Sequence, residues 1–286
     1  MIALGDMRLH WIDDCHVLND AGGAFGLVPR ALWRDIMPPD AENRIAMAHH
    51  ALLVQHAGRN ILIDVGYGDK MLEKMRTALS LERRRGGVPG ALDRLGVLPE
   101  DIHIVIDTHL HNDHCGGNTR LDADGQIVAV YSNADYIVGA REFHDATHPN
   151  ERTRATYLVE NFVPLYERQQ LRLIDEDTEV APGVRMVSTP GHTPGHMSVL
   201  LESGGESALF VSDMASFAVH FERLAWMTAY DVEPLVTLET KRRWQRWALE
   251  TNALLFFVHD PTRPVGRYAI GDDGKGHVLP VETAFA

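Results

Sequence analysis

Two cysteines, Cys15 and Cys115, are all that 286 residues contain. That number cannot build a disulfide framework or a four-cysteine zinc site, and it suits a reducing compartment. Basic residues are also scarce, 27 Lys and Arg against 40 Asp and Glu, for a net charge of −13. Holding a phosphate backbone takes clustered cations, so nucleic acid is excluded as a partner. The one basic run, Arg83-Arg84-Arg85, reads as a solvated loop. No apolar run approaches the roughly 20 residues that cross a bilayer, and a membrane is excluded in turn. Met1 to His10 lack the basic stretch and apolar core of a secretion signal, which places the expected location in the cytoplasm. Gly-x-Gly-x-x-Gly and phosphate-loop motifs are missing, so nucleotide cofactors have no support.

What is present is an ordinary globular composition, 45% hydrophobic and 23% charged, with an unusual 16 histidines. No internal repeat or low-complexity segment divides the chain. Ala51–His56 and Ile61–Asp64 flank a Gly/Asn turn and predict a β-hairpin, which ends in Asp64-Val-Gly-Tyr-Gly68. Ile102–Asp107 is a β-branched run of buried-strand character. Further strands are expected at 126–131, 136–138, 184–187, 197–201, 208–211 and 253–258. Helix is expected within 139–168 and over 235–251, the latter opened by Pro234. Strands in meanders with interspersed helices point to sheets covered by helices, in a single domain over 1–286.

The histidines are grouped. His109-x-His111-x-Asp113-His114 sets three imidazoles and a carboxylate on six residues, ligand types suited to Zn²⁺ and similar ions. Asp64, His109, His192, Asp213 and His259 each follow an apolar strand, and strand ends converge on one rim of a sheet. Five such ends offering metal-type ligands indicate a metal site.

Asp64, Thr-His-Leu-His-Asn-Asp-His at 108–114, Thr-Pro-Gly-His-Thr-Pro-Gly-His at 189–196, Val-Ser-Asp at 211–213 and Val-His-Asp at 258–260 occur in the order of the metallo-β-lactamase superfamily, which this chain resembles over nearly its whole length. The resemblance implies an αββα sandwich of class α/β (α+β), with a dinuclear centre at one edge of two mixed sheets. It implies that His109, His111 and His192 hold one ion, and Asp113, His114 and His259 the other, with Asp213 bridging. Asp64 would support the ligand loop through hydrogen bonds, and His196 would be a structural hydrogen-bonding residue. The implied cofactor is two divalent ions, Zn²⁺ first, with Co²⁺, Mn²⁺ or Fe²⁺ as alternatives.

Gly22–Pro29 with Trp33, and the later stretch holding His220, Trp226, Tyr230-Asp231, Pro234, Trp244 and His259-Asp260, are similar to N-acyl-homoserine lactonases and methyl-parathion-hydrolase-like enzymes. This similarity implies hydrolysis of a small lactone or ester by a metal-bridging hydroxide, with Asp113 and Asp213 as the catalytic acids. Several lactonases carry a tyrosine three residues after the bridging aspartate; here Ser216 stands there, with Phe217 next, which favours a phosphotriesterase or arylesterase as the alternative. His220 or Tyr230 would have to replace the phenol. A mononuclear iron persulfide dioxygenase is a third reading of the same scaffold. Phe25, Trp33, Phe143, Phe217 and Trp226 are candidates for an apolar substrate wall. His49, His50, His144 and His148 fall outside the pattern and read as structural. By analogy, the 1–45 segment contributes to the substrate pocket or to a homodimer contact.

Overall fold

The structure, a computed structural model, describes residues 1–286. Alternation of side chains builds its layers. Strands β1 (Ile2–Leu4), β2 (Met7–Asp20), β3 (Arg44–His56), β4 (Arg59–Ile63) and β5 (Ile104–Ile106) send successive residues to opposite faces. Trp11, Leu52, Val54, Ile61 and Ile63 line one face, and Ile12, Ala51, Leu53 and Leu62 the other. Both faces are apolar, so both must be covered. A small hairpin of β6 (Thr119–Leu121) and β7 (Ile127–Ala129) stands apart. Strands β8 (Asp135–Gly139) and β9 (Leu171–Ile174) complete a sheet ordered β1-β2-β3-β4-β5-β8-β9.

The second sheet runs in chain order through β10 (Thr178–Ala181), β11 (Val184–Ser188), β12 (Met197–Ser203), β13 (Glu206–Phe210), β14 (Leu254–Phe256), β15 (Val265–Ile270) and β16 (Gly276–Pro280). Its inner face, with Met186, Val199, Phe210 and Phe256, packs on the inner face of the first sheet. Fully burying a side chain such as Phe210 stabilises the fold by about 1.5–3 kcal/mol. Outside the first sheet, Val88, Ala91 and Leu92 of the helix Gly87–Arg94 cover Leu53 and Leu62. Outside the second, Trp244 and Ala248 of the helix Pro234–Thr251 cover Leu255 and Phe257. The result is the expected αββα sandwich.

The two sheets repeat one connectivity despite the absence of a sequence repeat. In each, four antiparallel strands are followed by a fifth that pairs in parallel with the fourth, β5 on β4 and β14 on β13. At one rim the sheets are joined: Ala48 N donates to His259 O at 3.1 Å and His50 N to Val258 O at 3.0 Å. Beside this seam a register shift between Asp13 and Cys15 pairs Cys15 with His49 and leaves Asp14 as the extra residue of a bulge.

The structure adds strands that were not expected and corrects one expected region. Strand β2 is the longest, at 14 residues, yet its buried positions include His10, Asp13 and Asp14, which hide its alternation. Two strands without an expected counterpart, β15 and β16, follow the one expected at 253–258. The 139–168 region is helical only at Ala140–Thr147 and Val163–Glu167, apart from a short 3₁₀ turn at Val159–Asn161. The 1–45 segment itself is split: most of 2–20 is sheet, and 21–33 carries two short helices, Ala21–Phe25 and Arg30–Trp33.

Candidate metal centre

Each half of the sandwich delivers its chemistry where strands end. Strand β4 stops at Asp64, whose φ of 54° lies in the left-handed region that Asp tolerates better than most residues. That turn aims the carboxylate back at the loop after β5. Oδ1 accepts from Thr108 N at 2.9 Å, and Oδ2 from Thr108 Oγ1 at 3.0 Å and His114 Nδ1 at 2.8 Å. With its proton given to Asp64, Thr108 Oγ1 accepts from His109 Nδ1 at 3.1 Å and from Ser212 Oγ at 2.9 Å. His109 Nε2 is thereby left as the lone-pair nitrogen. Ser212, the residue before Asp213, also has a positive φ, 50°.

The free atoms meet at one point. His192 Nε2 lies 3.0 Å from His111 Nδ1, and His109, His111 and His192 form one compact ligand group. Asp113 Oδ2 lies 3.5 Å from His114 Nε2 and 3.6 Å from His259 Nε2. Asp213 stands between the groups, with Oδ2 3.3 Å from His192 Nε2, 3.9 Å from His109 Nε2 and 3.5 Å from His114 Nε2, and Oδ1 3.1 Å from His259 Nε2. Two ligands each about 2.1 Å from one ion are at most about 4.2 Å apart, so these separations suit shared ions. His109, His114 and His259 Nε2 are buried without hydrogen-bond partners, whereas the opposite nitrogen of each ring is held. Buried polar atoms are normally paired, and three orphans converging on a carboxylate fit a metal.

A family model for the metallo-β-lactamase superfamily matches residues 44–252. This chain belongs to that superfamily. An N-acyl homoserine lactonase from Bacillus sp is 33% identical over 170 residues, which are 59% of this chain and 60% of that protein. The N-acyl homoserine lactonase AttM of Rhizobium radiobacter is 25% identical over 223 residues, 73% of this chain and 80% of that one. The chain thus spans about 60% of the length of the first of these relatives. A probable metal-dependent hydrolase from Staphylococcus aureus superposes with a TM-score of 0.87 at 28% identity, covering 99% of this chain and 100% of that one. AidC, described as a dizinc quorum-quenching lactonase in complex with a product, gives 0.80 at 21% identity, covering 99% and 97%, and supports the fold alone. His259 lies beyond the span of the family model, and the structure brings its Nε2 to within 3.6 Å of Asp113 and 3.1 Å of Asp213.

In this superfamily member the sequence assigns no role to several supporting residues, although Asp231 lies in the stretch similar to the lactonases. Asp231 Oδ1 accepts from His192 Nδ1 at 2.9 Å and from Thr228 Oγ1 at 2.7 Å, fixing the ring so that Nε2 faces the centre. Glu142, fully buried, accepts from Leu110 N at 2.9 Å, Tyr157 Oη at 3.1 Å and Thr193 Oγ1 at 2.5 Å, tying the two ligand loops together. No motif spacing links either acid to its partners. His49, which reads as structural from sequence, turns its ring to within 3.5 Å of Asp113. His196 donates from Nδ1 to Thr189 O at 3.1 Å and accepts Asp213 N on Nε2 at 3.2 Å, so it holds the backbone of Asp213.

Electrostatics favour a cation. Burial, then neighbouring imidazoles, push His109 and His111 well below the usual histidine range, leaving neutral donors. Burial lowers the pKa of His114, but Asp113, Asp64 and Asp213 together raise it well above that range, so the carboxylates around its ring favour positive charge there. Burial likewise opposes ionised Asp213, and His259, His192 and His114 outweigh it.

The aromatic candidates divide. Phe25 stacks on Trp33 at 4.6 Å and meets Phe217, His220 and Trp226 at 6.2, 5.4 and 6.0 Å, all in one packed cluster. Phe143 lies elsewhere, against Phe162 and Tyr166 outside the first sheet, because its helix presents Glu142 and not Phe143 to the ligand loops. Tyr230 is half-exposed, and burial followed by the charge of Asp113 keeps its phenol protonated. Ser216 Oγ donates to Asp213 Oδ1 at 3.1 Å.

Proposed function

We propose that this chain is a dinuclear-metal hydrolase that opens a lactone or ester, N-acyl-homoserine lactone foremost. The observation that carries the reading is the position of Asp213 between two ligand groups, within 3.9 Å of His109, His114, His192 and His259. The lactonase relatives support the substrate class. His109, His111 and His192 would hold one ion, Asp113, His114 and His259 the other, and Asp213 both. When bound, two such ions, Zn²⁺ first among them, supply hydroxide near neutral pH and polarise a carbonyl.

The remaining work falls to side chains. Asp113 is the most exposed of the acids at the centre, with 22% of its side chain accessible, so it is placed to take a proton and return it to the leaving alkoxide. Asp213, fixed by His196 and Ser216, stays ionised and keeps its two oxygens on the two groups. Tyr230, with its hydroxyl beside Gly23, offers a phenol that burial keeps protonated. A second reading, phosphotriester or aryl ester hydrolysis, is favoured by Ser216: its hydroxyl is turned back onto Asp213 and leaves no phenol at that position.

An apolar groove of about 720 Å³ lies between residues 26–32 and 225–238, bordered by the exposed Leu27, Leu32 and Leu235. We assign this strip to contact with a second copy of the chain, in keeping with a homodimer. No helix is long and apolar enough to cross a membrane, and a cytoplasmic location belongs to the same proposal.

The test is metal content per chain, measured with turnover of a long-chain acyl-homoserine lactone and of paraoxon, on a sample whose mass is read by light scattering. Two ions, fast lactone opening and a dimer support the whole reading; faster paraoxon turnover moves it to the second. His109→Ala and Asp213→Ala should lose both metal and turnover. One iron with neither activity overturns the mechanism, and oxygen consumption with a persulfide then identifies the dioxygenase reading.

A further inference from the structure

His49 is not among the residues that the superfamily pattern marks, and its surroundings require an explanation. It is 1% exposed, and neither ring nitrogen has a hydrogen-bond partner. Buried polar atoms in native proteins are almost always paired, and two orphans on one ring point to an absent partner. His50 and His220 share that property, and all three rings touch aromatic side chains, Tyr67 in the case of His49; but neither His50, whose nearest carboxylate is Asp13 at 3.8 Å, nor His220 joins a group of residues able to hold an ion. His49 instead faces ligands. Its Nδ1 is 3.5 Å from Asp113 Oδ2, and one atom each of His49, Asp113 and His259 all lie within 4.8 Å of one another.

The backbone fixes this placement independently. Ala48, the preceding residue, donates its N–H to His259 O and accepts His259 Nδ1 on its own carbonyl at 2.9 Å. The bulge at Asp14 sets the register that pairs His49 with Cys15. His49 is therefore held beside a ligand by the same hydrogen bonds that orient that ligand, and its ring crosses that of His259 at 4.6 Å and 74°.

We propose that His49 is an eighth metal-binding residue, giving an imidazole nitrogen to the ion held by Asp113, His114 and His259. This rests on the dinuclear reading and makes its two positions unequal. One has three histidines and Asp213; the other has three histidines, Asp113 and Asp213. The richer position suits ions that accept higher coordination, Co²⁺, Mn²⁺ or Fe²⁺, better than Zn²⁺ with its preference for four ligands.

The experiment loads metal-free protein with Co²⁺ and follows both chelator competition and visible absorption, for wild type, His49→Ala and His49→Gln. Removing a group that only supports a ligand weakens binding ~10–100-fold, so loss of a ligand should weaken one of the two ions by at least ~100-fold. The ligand-field absorption should also intensify as the coordination number falls, equally in His49→Ala and His49→Gln. Glutamine can still hydrogen-bond Asp113, so a wild-type spectrum and affinity in His49→Gln would overturn the proposal in favour of a positioning role. Unchanged binding and absorption in both variants would overturn it outright, while two ions in wild type would leave the dinuclear reading intact. A wild type that takes up a single ion would overturn the dinuclear reading and this inference with it.

Discussion

Glu142 offers a direct measure of how much of the site's order is stored away from the ligands. It accepts three hydrogen bonds, from Leu110 N, Tyr157 Oη and Thr193 Oγ1, and two of those donors belong to fully buried residues on different ligand loops. Glu142→Ala strands all three donors at about 1–3 kcal/mol each. Burial already raises the carboxyl pKa, and removing the acid recovers part of that penalty. The expected loss is about 3–6 kcal/mol, a large share of the roughly 5–15 kcal/mol that holds a typical domain together. Glu142→Gln keeps the shape and one acceptor oxygen, and the Thr193 hydroxyl can reverse its role, so its loss should be near 1 kcal/mol. Urea unfolding of the metal-free protein reads the difference through the midpoint, provided the slope is unchanged. If Glu142→Ala fell within about 1 kcal/mol of Glu142→Gln, the three bonds would not be acting as a clamp, and the argument from buried donors would fail.

Two further outcomes follow from the supporting groups. Asp231→Asn removes the charge that fixes His192, and should weaken the ion at His109, His111 and His192 by ~10–100-fold in chelator competition without unfolding the chain. The second concerns acid. Burial holds His50 at about 4 although Asp13 pulls upward, against an unfolded value near 6.5. The unfolded chain therefore binds the extra proton between those values; the contribution is complete above pH 6.5 and is lost as pH falls toward 4, to a total of about 3 kcal/mol. His50→Leu should flatten the pH dependence of metal-free stability by about one proton in that window, and an unchanged slope would count against the assignment.

The sequence made the inner strands and the ligand loops legible for the same reason: local pattern and local chemistry coincide there. Ile61–Ile63 and Leu209–Phe210 are apolar because two layers bury them; the first runs directly into Asp64, and the second reaches Asp213 after Val211 and Ser212. Strand β2 was hidden because it places polar side chains at buried positions near the bulge. His49 was hidden because its partners come from residues 113 and 259, and no short-range spacing encodes that meeting. Asp231 and Glu142 are single acids whose roles exist only once the loops are folded against them. Phe143 was misplaced because an aromatic residue in a helix carries no mark of which way the helix faces.

The repeated connectivity of the two sheets has a consequence for when the centre can exist. His109, His111, Asp113 and His114 come from the first sheet's half of the chain, whereas His192, Asp213 and His259 come from the second. Synthesis of the first half alone supplies four candidate ligands with no counterpart, and His259 follows only once β10 to β14 have been made. On the proposed assignment, an ion shared by both halves would be a clasp across positions as distant as 114 and 259, fastened last. Its binding energy is added to the docking of one sheet on the other, so metal supply would govern how long the finished sandwich survives as well as how fast it turns over.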